Sequence, residues 1–386
     1  MADHSPAPRR LLKAFLLSLP MILLMAMMVT GGQPLPKDLL RLISLAVTYV
    51  FIVVMFFLMV YTGRTHRYRS VLFVVYAVCF VMTFIPNLIE TRGSMSISRA
   101  EMIQGHTPFC HMVIPTTLIP AALSRTIIFP GSMLEGFAPI GFMLVLWLGV
   151  SIALGRAWCS WGCFYGGLDE GFSKIGRRPI LKNVPRKWTY LPFAVLVAVA
   201  LLSAATLTPM YCAWLCPFKT VTEFEAVTSA TTLVQAGIFV SLFAALVVVL
   251  PLLTKRRTQC GLFCPMGAFQ SFTNLFNIFD VRIDGTKCVQ CGRCEKACPT
   301  FSIDRETIEN GRTRMTCTKC GRCVDDCPKG AISYHIKGTP IGVRAQTARM
   351  IFIYPAFLLL GIMGSRMIAA AVYRVLLLVT TGSLIK

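Results

Sequence analysis

The sequence predicts a mainly α membrane protein, a multi-span helical bundle with a small α+β module set into its C-terminal third. Three observations predict it. Of 386 residues, 55% are apolar and only 14% charged, and the mean hydropathy is +0.66, a balance foreign to water-soluble domains. The apolar residues gather into runs close to the roughly 20 residues that cross a bilayer core. Late in the chain these runs give way to two tandem copies of C-x2-C-x2-C-x3-C-P.

Seven runs are long enough to span: about 11–29, 39–61, 71–89, 137–155, 189–208, 229–253 and 347–364. An eighth, about 367–385, carries Arg374 near its middle. It either spans, pairs inside the bundle or lies in the interface. The first run follows Arg9, Arg10 and Lys13 and has no clear A-x-A cleavage site, so it reads as a retained helix rather than a signal peptide.

The net charge of +21 sits mainly between helices, where it encodes orientation rather than nucleic-acid binding. Basic residues crowd the N-terminal tail, 62–70, 156–188 and Lys255 to Arg257, while the alternate loops hold only Lys37, Arg92, Arg99, Arg125 and Lys219. The basic set is expected in the cytoplasm, in the inner membrane of a bacterium. The expected domains are a helical bundle over 1–254, an interfacial connector over 255–279, a ferredoxin module over 280–335 and a membrane anchor over 336–386. The connector holds an amphipathic run of Ala268, Phe269, Phe272, Leu275, Phe276, Ile278 and Phe279.

Sixteen cysteines carry the chemistry. In the tandem repeat, three closely spaced thiolates bind one cubane and the fourth, before proline, reaches the other. The expected ligands are Cys288, Cys291, Cys294 and Cys327 for one [4Fe-4S] cluster, and Cys317, Cys320, Cys323 and Cys298 for the second. Both copies end in Cys-Pro and run into a short strand-like stretch, Phe301 to Ile303 and Ala331 to Ser333, which argues against the zinc site that C-x2-C spacing alone would allow. This is the bacterial-type 2[4Fe-4S] ferredoxin pattern.

Three C-x3-C pairs end membrane runs and read as one cassette used three times: Cys159/Cys163, Cys212/Cys216 and Cys260/Cys264. A pair supplies two thiolates, so two pairs are needed for four. The charge pattern puts Cys159, Cys163, Cys260 and Cys264 on one side, as ligands of a third cluster or as a dithiol or packing. Cys212 and Cys216 fall on the other side with Cys110, which lies beside His106 and His111. These three thiols with one further ligand would hold a fourth cluster, and the alternatives are a disulfide or unliganded thiols. Cys79, inside an apolar run, reads as packing. His66, His106 and His111 all fall outside the spans, which argues against a transmembrane haem.

With Gly155-Arg156-Ala157-Trp158-Cys159 through Cys163, Cys260-Gly261-Leu262-Phe263-Cys264-Pro265-Met266-Gly267-Ala268-Phe269 and the tandem repeat, the chain resembles membrane polyferredoxins of the NapH/NosR/CcoG type. It departs at Cys163-Phe164, where the family has proline, and in the added pair Cys212/Cys216. The resemblance implies electron transfer between the quinone pool and a partner oxidoreductase, with the chain as a quinol dehydrogenase or an electron-transfer subunit. Its alternative is an assembly or maturation factor that reduces a metal or thiol for another membrane enzyme. The loop Pro108 to Gly131, with Pro115, Pro120 and Pro130, reads as a re-entrant segment and candidate quinone neighbourhood, with Arg125, His106 and His111 as polar candidates.

Overall fold

The computed structural model describes residues 7–91, 110, 113–126, 140–176, 178–182, 184–222, 227, 229–341 and 345–383. Among these, seven helices are long and apolar enough to cross a membrane: Pro8–Thr30, Leu39–Thr62, Thr65–Phe84, Ile140–Trp161, Arg186–Thr206, Ala230–Thr254 and Ala345–Thr381. The chain is mainly helical, with one small two-stranded sheet. It divides into two compact units, Met1–Thr83 with Arg156–Leu168 and Ile278–Lys386, and Phe84–Gly155 with Asp169–Asn277.

In the first unit three membrane helices pack together, Ala7–Thr30, Leu39–Thr62 and Ala345–Thr381. The helix Ala7–Thr30 buries Ala14, Met21 and Met25 and exposes Leu12, Leu16, Leu19 and Leu23, one face for the bundle and one for acyl chains. Gly361 permits close approach, because a Cβ there would lie 2.5 Å from Met25 Sδ. The C-terminal helix runs antiparallel to Leu39–Thr62. Arg349 donates to the Met59 carbonyl at 2.8 Å, while the Arg41 guanidinium lies 5.5 Å from the Tyr373 ring.

That helix settles the eighth run. Residues 347–364 and 367–385 do not form two segments, because a single helix covers Ala345–Thr381, 37 residues. At 1.5 Å per residue it is about 56 Å long, well beyond a core of about 30 Å. Arg374 lies one residue past Tyr373, at the end opposite Arg349, and so does not sit mid-membrane.

The α+β module closes the same unit. Strand β1, Phe279–Ile283, pairs antiparallel with β2, Ile332–Ile336, placing Phe279 opposite Ile336, Val281 opposite Tyr334 and Ile283 opposite Ile332. Phe279, Val281 and Ile283 are buried and alternate with half-buried Asp280 and Arg282, the period of a one-sided strand. Two expectations change here. Phe301 to Ile303 is not a strand, and Phe301 adopts a left-handed φ of 55°. The connector run is also not one amphipathic element: a helix ends at Phe276, Asn277 is extended, and Phe279 already belongs to β1.

The second unit holds the helices Val113–Ser124, Ile140–Leu154, Leu191–Thr206, Ala230–Leu242 and its continuation to Thr254, and Pro265–Phe276. Its buried Gln270 is satisfied on both ends of the amide. Gln270 donates to Ser151 Oγ at 2.9 Å and to the Gly155 carbonyl at 3.2 Å, and accepts from Trp147 Nε1 at 2.7 Å. Gly155, at φ 60°, has no room for a Cβ, which would meet Asn274 Oδ1 at 2.4 Å. Pro120 sits inside the helix Val113–Ser124, where the expected re-entrant segment falls; residues 108, 109 and 127–131 lie outside the described residues.

Candidate functional site

The two cysteine repeats adopt the same backbone. Gln290 and Gly292 in the first copy, and Lys319 and Gly321 in the second, are left-handed, with φ of 51°, 68°, 49° and 81°. Each glycine starts a five-residue helix, Arg293–Ala297 or Arg322–Asp326, which ends at the cysteine before proline. Three residues past those cysteines, Phe301 and Gly330 turn left-handed again, at 55° and 59°. The turn delivers a backbone donor to sulfur: Ser302 N–H donates to Cys298 Sγ at 3.1 Å and Ala331 N–H to Cys327 Sγ at 3.3 Å. Donors aimed at sulfur favour thiolate over thiol.

Cys288, Cys291, Cys294 and Cys327 line one hollow of about 360 Å³, counted together with its opening to solvent. Burial pushes the Cys294 thiol up to about 11, and Cys288 and Cys327 add to the rise. In the other set, burial raises the Cys323 thiol well above its ordinary range, and Cys317, Cys320 and Cys298 raise it further. Cys327 therefore stands with the first triplet around that hollow, and Cys298 lies near Cys317 and Cys323. No three His, Cys, Asp or Glu side chains among the described residues close on a single-ion cage. The first set is instead spread around a hollow, which suits a cubane better than tetrahedral zinc.

The second repeat is built into the membrane part of its own unit. Asp325, between Cys323 and Cys327, accepts the N–H groups of Thr65, His66 and Arg67 at 3.1, 2.8 and 3.3 Å. It thereby caps the first turn of the helix Thr65–Thr91 with negative charge. The carbonyl of Lys319, between Cys317 and Cys320, accepts from Tyr334 Oη at 3.2 Å and Trp161 Nε1 at 3.3 Å. The Lys319 side chain is only 2% exposed, and burial pulls its ammonium down to about 7.

Trp161 lies within the first C-x3-C turn, between Cys159 and Cys163, and all three are buried. Arg69, fully buried, donates to the Ser160 carbonyl at 2.7 Å and places its guanidinium 5.9 Å from the Trp161 ring. The Cys159/Cys163 pair thus belongs to the same body as the ferredoxin repeats. Trp161, Lys319 and Asp325 were not among the residues singled out from sequence. Only the position of Trp161 between two cysteines could have pointed to it.

The other two pairs belong to the second unit. Cys260 is held by charge: its N–H donates to Asp169 Oδ2 at 2.9 Å, and Arg257 donates to its sulfur at 3.1 Å. Arg257 also pairs with Glu170 at 3.9 Å. Burial pushes the Asp169 carboxyl up to about 7 against the pull of Arg257 and the Cys260 N–H. Cys264 caps the helix Pro265–Phe276, its sulfur accepting the Gly267 N–H at 3.4 Å. Cys212 lies in the π-helical turn Tyr211–Leu215, and Cys216 follows it.

The two turns were expected at opposite faces, yet Gln259 Nε2 donates to Tyr211 Oη at 3.5 Å. Both fold back along the Ala230–Thr254 helix: Ala213 accepts from Gln235, and Thr258 donates to the Leu246 carbonyl at 2.7 Å. Charge bias locates loop ends and is blind to such returns. Cys110 is half-buried, and Cys79 is buried in its helix. Among the described residues, which include all sixteen cysteines, none is disulfide-bonded. Arg125 is exposed, while His106 and His111 lie outside the described residues.

Helical spans joined to a doubled cubane-binding turn define a membrane protein of the 4Fe-4S ferredoxin type. Comparison with known families agrees: residues 280–328 match the 4Fe-4S dicluster domain, and residues 136–183, 188–226 and 236–279 each match a 4Fe-4S binding domain. The threefold cassette is thus recognised as three copies. The chain is similar to "Putative electron transport protein YccM" of Escherichia coli (strain K12), 29% identical over 167 residues, which cover 41% of this chain and 45% of that one. It is also similar to "Methylamine utilization ferredoxin-type protein MauN" of Methylobacillus flagellatus, 28% identical over 173 residues, 45% of this chain and 58% of that one. The alignments thus span about half the length of these relatives. No solved structure matches the chain.

Proposed function

We propose that this protein carries electrons one at a time between the quinone pool and a partner oxidoreductase, through two ferredoxin-type [4Fe-4S] clusters and further clusters on its membrane cysteine pairs. The observation that carries this reading is the hollow lined by Cys288, Cys291, Cys294 and Cys327. These are the four thiols that the crossed ferredoxin pattern assigns to one cubane, and Cys317, Cys320, Cys323 and Cys298 are assigned to the second. A bound cubane supplies one-electron chemistry. The chain's residues supply thiolates, N–H donors to sulfur and burial, the levers that set a cluster's potential.

The names of the two relatives, an electron transport protein and a ferredoxin-type protein, support electron transfer and mention no quinone. Support for the quinone comes from the second unit, where Pro115, Pro120, Leu196, Val199 and Ser203 line an apolar hollow of about 250 Å³, counted together with its opening. Its apolar walls suit a quinone ring. Quinol oxidation releases two electrons and two protons, so a one-electron carrier beside it must receive the electrons in turn.

The purified protein is expected to contain at least about 8 iron and 8 acid-labile sulfide per chain. Zinc in place of iron would overturn the assignment. Mixed with a reduced short-chain quinol, the protein should lose the visible absorbance of oxidised clusters. Val199→Trp, which fills the apolar hollow, should slow that reduction at least tenfold without changing the iron content. An unchanged rate would remove the quinone from this site.

A further inference from the structure

Three cysteine-bearing segments of the second unit converge on the apolar hollow. Pro115 and Pro120 come from the helix that follows Cys110, and Pro265 directly follows Cys264. Ser203 lines the same hollow and accepts the N–H of Met210 at 3.1 Å, which fixes the start of the turn carrying Cys212 and leading to Cys216. Tyr211, 2% exposed, bridges two of these segments through its contact with Gln259.

Gln235 and Leu246, where the two turns touch the Ala230–Thr254 helix, are separated by about 16 Å of helix rise. The Tyr211 side chain closes much of that gap. Cys264 is therefore drawn away from a purely cytoplasmic set and toward the pair in the Tyr211 turn.

The geometry points to Cys264 as the fourth ligand of a [4Fe-4S] site whose other three ligands are Cys110, Cys212 and Cys216. This rests on the reading that the membrane cysteines carry clusters, and it supplies the ligand that the three outer thiols lack. Tyr211, next to Cys212, and Gln259, in the turn that leads to Cys264, form the contact that brings the two segments together.

A second feature singles out Cys216 and Cys264 as thiolate ligands. Both precede proline, as Cys298 and Cys327 do. In the ferredoxin repeats that dipeptide turns a following N–H onto sulfur. Gly267 N–H does the same for Cys264, and the N–H groups of Phe218 and Lys219 do so for Cys216, with the Lys219 ammonium close by. Four thiolates on a cubane carry net negative charge, and these donors offset part of it in a site that holds little water.

The test uses the full-length protein in detergent, with iron per chain and electron paramagnetic resonance of the reduced protein as readouts. Cys110→Ser, Cys212→Ser and Cys264→Ser should each remove the same signal and about four irons, the content of one cubane, and Cys260→Ser should leave that signal in place. Loss of the Cys212-dependent signal in Cys260→Ser, or its survival in Cys264→Ser, overturns the assignment.

Differential alkylation of the wild type avoids dependence on variants that fold. Cys110, Cys212, Cys216 and Cys264 should resist maleimide together and become reactive together when a chelator removes iron. Labelling of Cys264 while Cys110 and Cys212 stay protected refutes the shared site. A wild type holding only about 8 iron overturns this inference but leaves the ferredoxin reading standing. A wild type without iron removes both.

Discussion

Two glycines in equivalent turns show what single residues decide. Gly292 and Gly321 both start a cluster-bearing helix at positive φ. A Cβ at Gly292 would meet nothing within 4 Å, whereas at Gly321 it would lie 2.6 Å from Tyr334 Oη and 3.3 Å from Thr65 Cβ. Gly292→Ala should therefore cost only the left-handed strain, about 1 kcal/mol. Gly321→Ala adds a clash with the tyrosine that holds the Lys319 carbonyl. We expect Gly292→Ala to keep the wild-type iron content and Gly321→Ala to lose about half of the ferredoxin iron, with thermal bleaching of the visible absorbance at a lower temperature. Equal behaviour of the two variants would show that the Tyr334 contact does not constrain the turn.

At the scale of elements, the sequence is most legible where the pattern is long. All seven expected spans have their helix, because twenty apolar residues have few alternatives in a bilayer. Short elements were decided by contacts that periodicity does not encode. Ile278 and Phe279 continue an apolar run on paper, but Asn277 breaks it and β2 recruits Phe279 as a strand residue. Within the site, the cysteine spacing marks the two triplets, and Cys327 lines one hollow with the first of them. The return of the Tyr211 and Gln259 segments toward each other was hidden, since it depends on hydrogen bonds between residues 48 apart.

The short helix Arg305–Glu309 between the repeats gives a test at this scale. Asp304 caps it, accepting the Thr307 N–H at 3.0 Å in a capping box, and also pairs with Arg314. Burial pushes the Asp304 carboxyl up, but Arg314 and Thr307 outweigh burial and hold it below the usual carboxylate range. A depressed carboxylate stabilises the folded state above its unfolded pKa of about 3.9, and this contribution fades as pH falls through the folded value. Asp304→Ala should cost about 1 kcal/mol at pH 7. The difference from wild type, read from thermal bleaching, should shrink below about pH 4. A difference that stays constant with pH would mean the cap acts through shape rather than charge.

Across the first unit, charge and architecture coincide. Arg349 binds Thr65 and the Met59 carbonyl, Tyr354, one turn further along the same helix, donates to the Leu17 carbonyl near the middle of the first helix, and Asp325 of the ferredoxin repeat caps Thr65 to Arg67. The ferredoxin module, the turn carrying Arg64 and Arg67 and the end of the first helix that carries Arg10 and Lys13 therefore share one end of that unit. Arg41 and Tyr373 mark the other end. Lys and Arg beside spans are retained in the cytoplasm, so the module should face the cytoplasm too. Glu309 is exposed on the module, and it is not among the residues that line the hollow of Cys288, Cys291, Cys294 and Cys327. Glu309→Cys should react with a membrane-impermeant maleimide only after the inner membrane is permeabilised, with the wild-type chain as the control for native thiols. Labelling in intact spheroplasts at the level seen after permeabilisation would put the module outside.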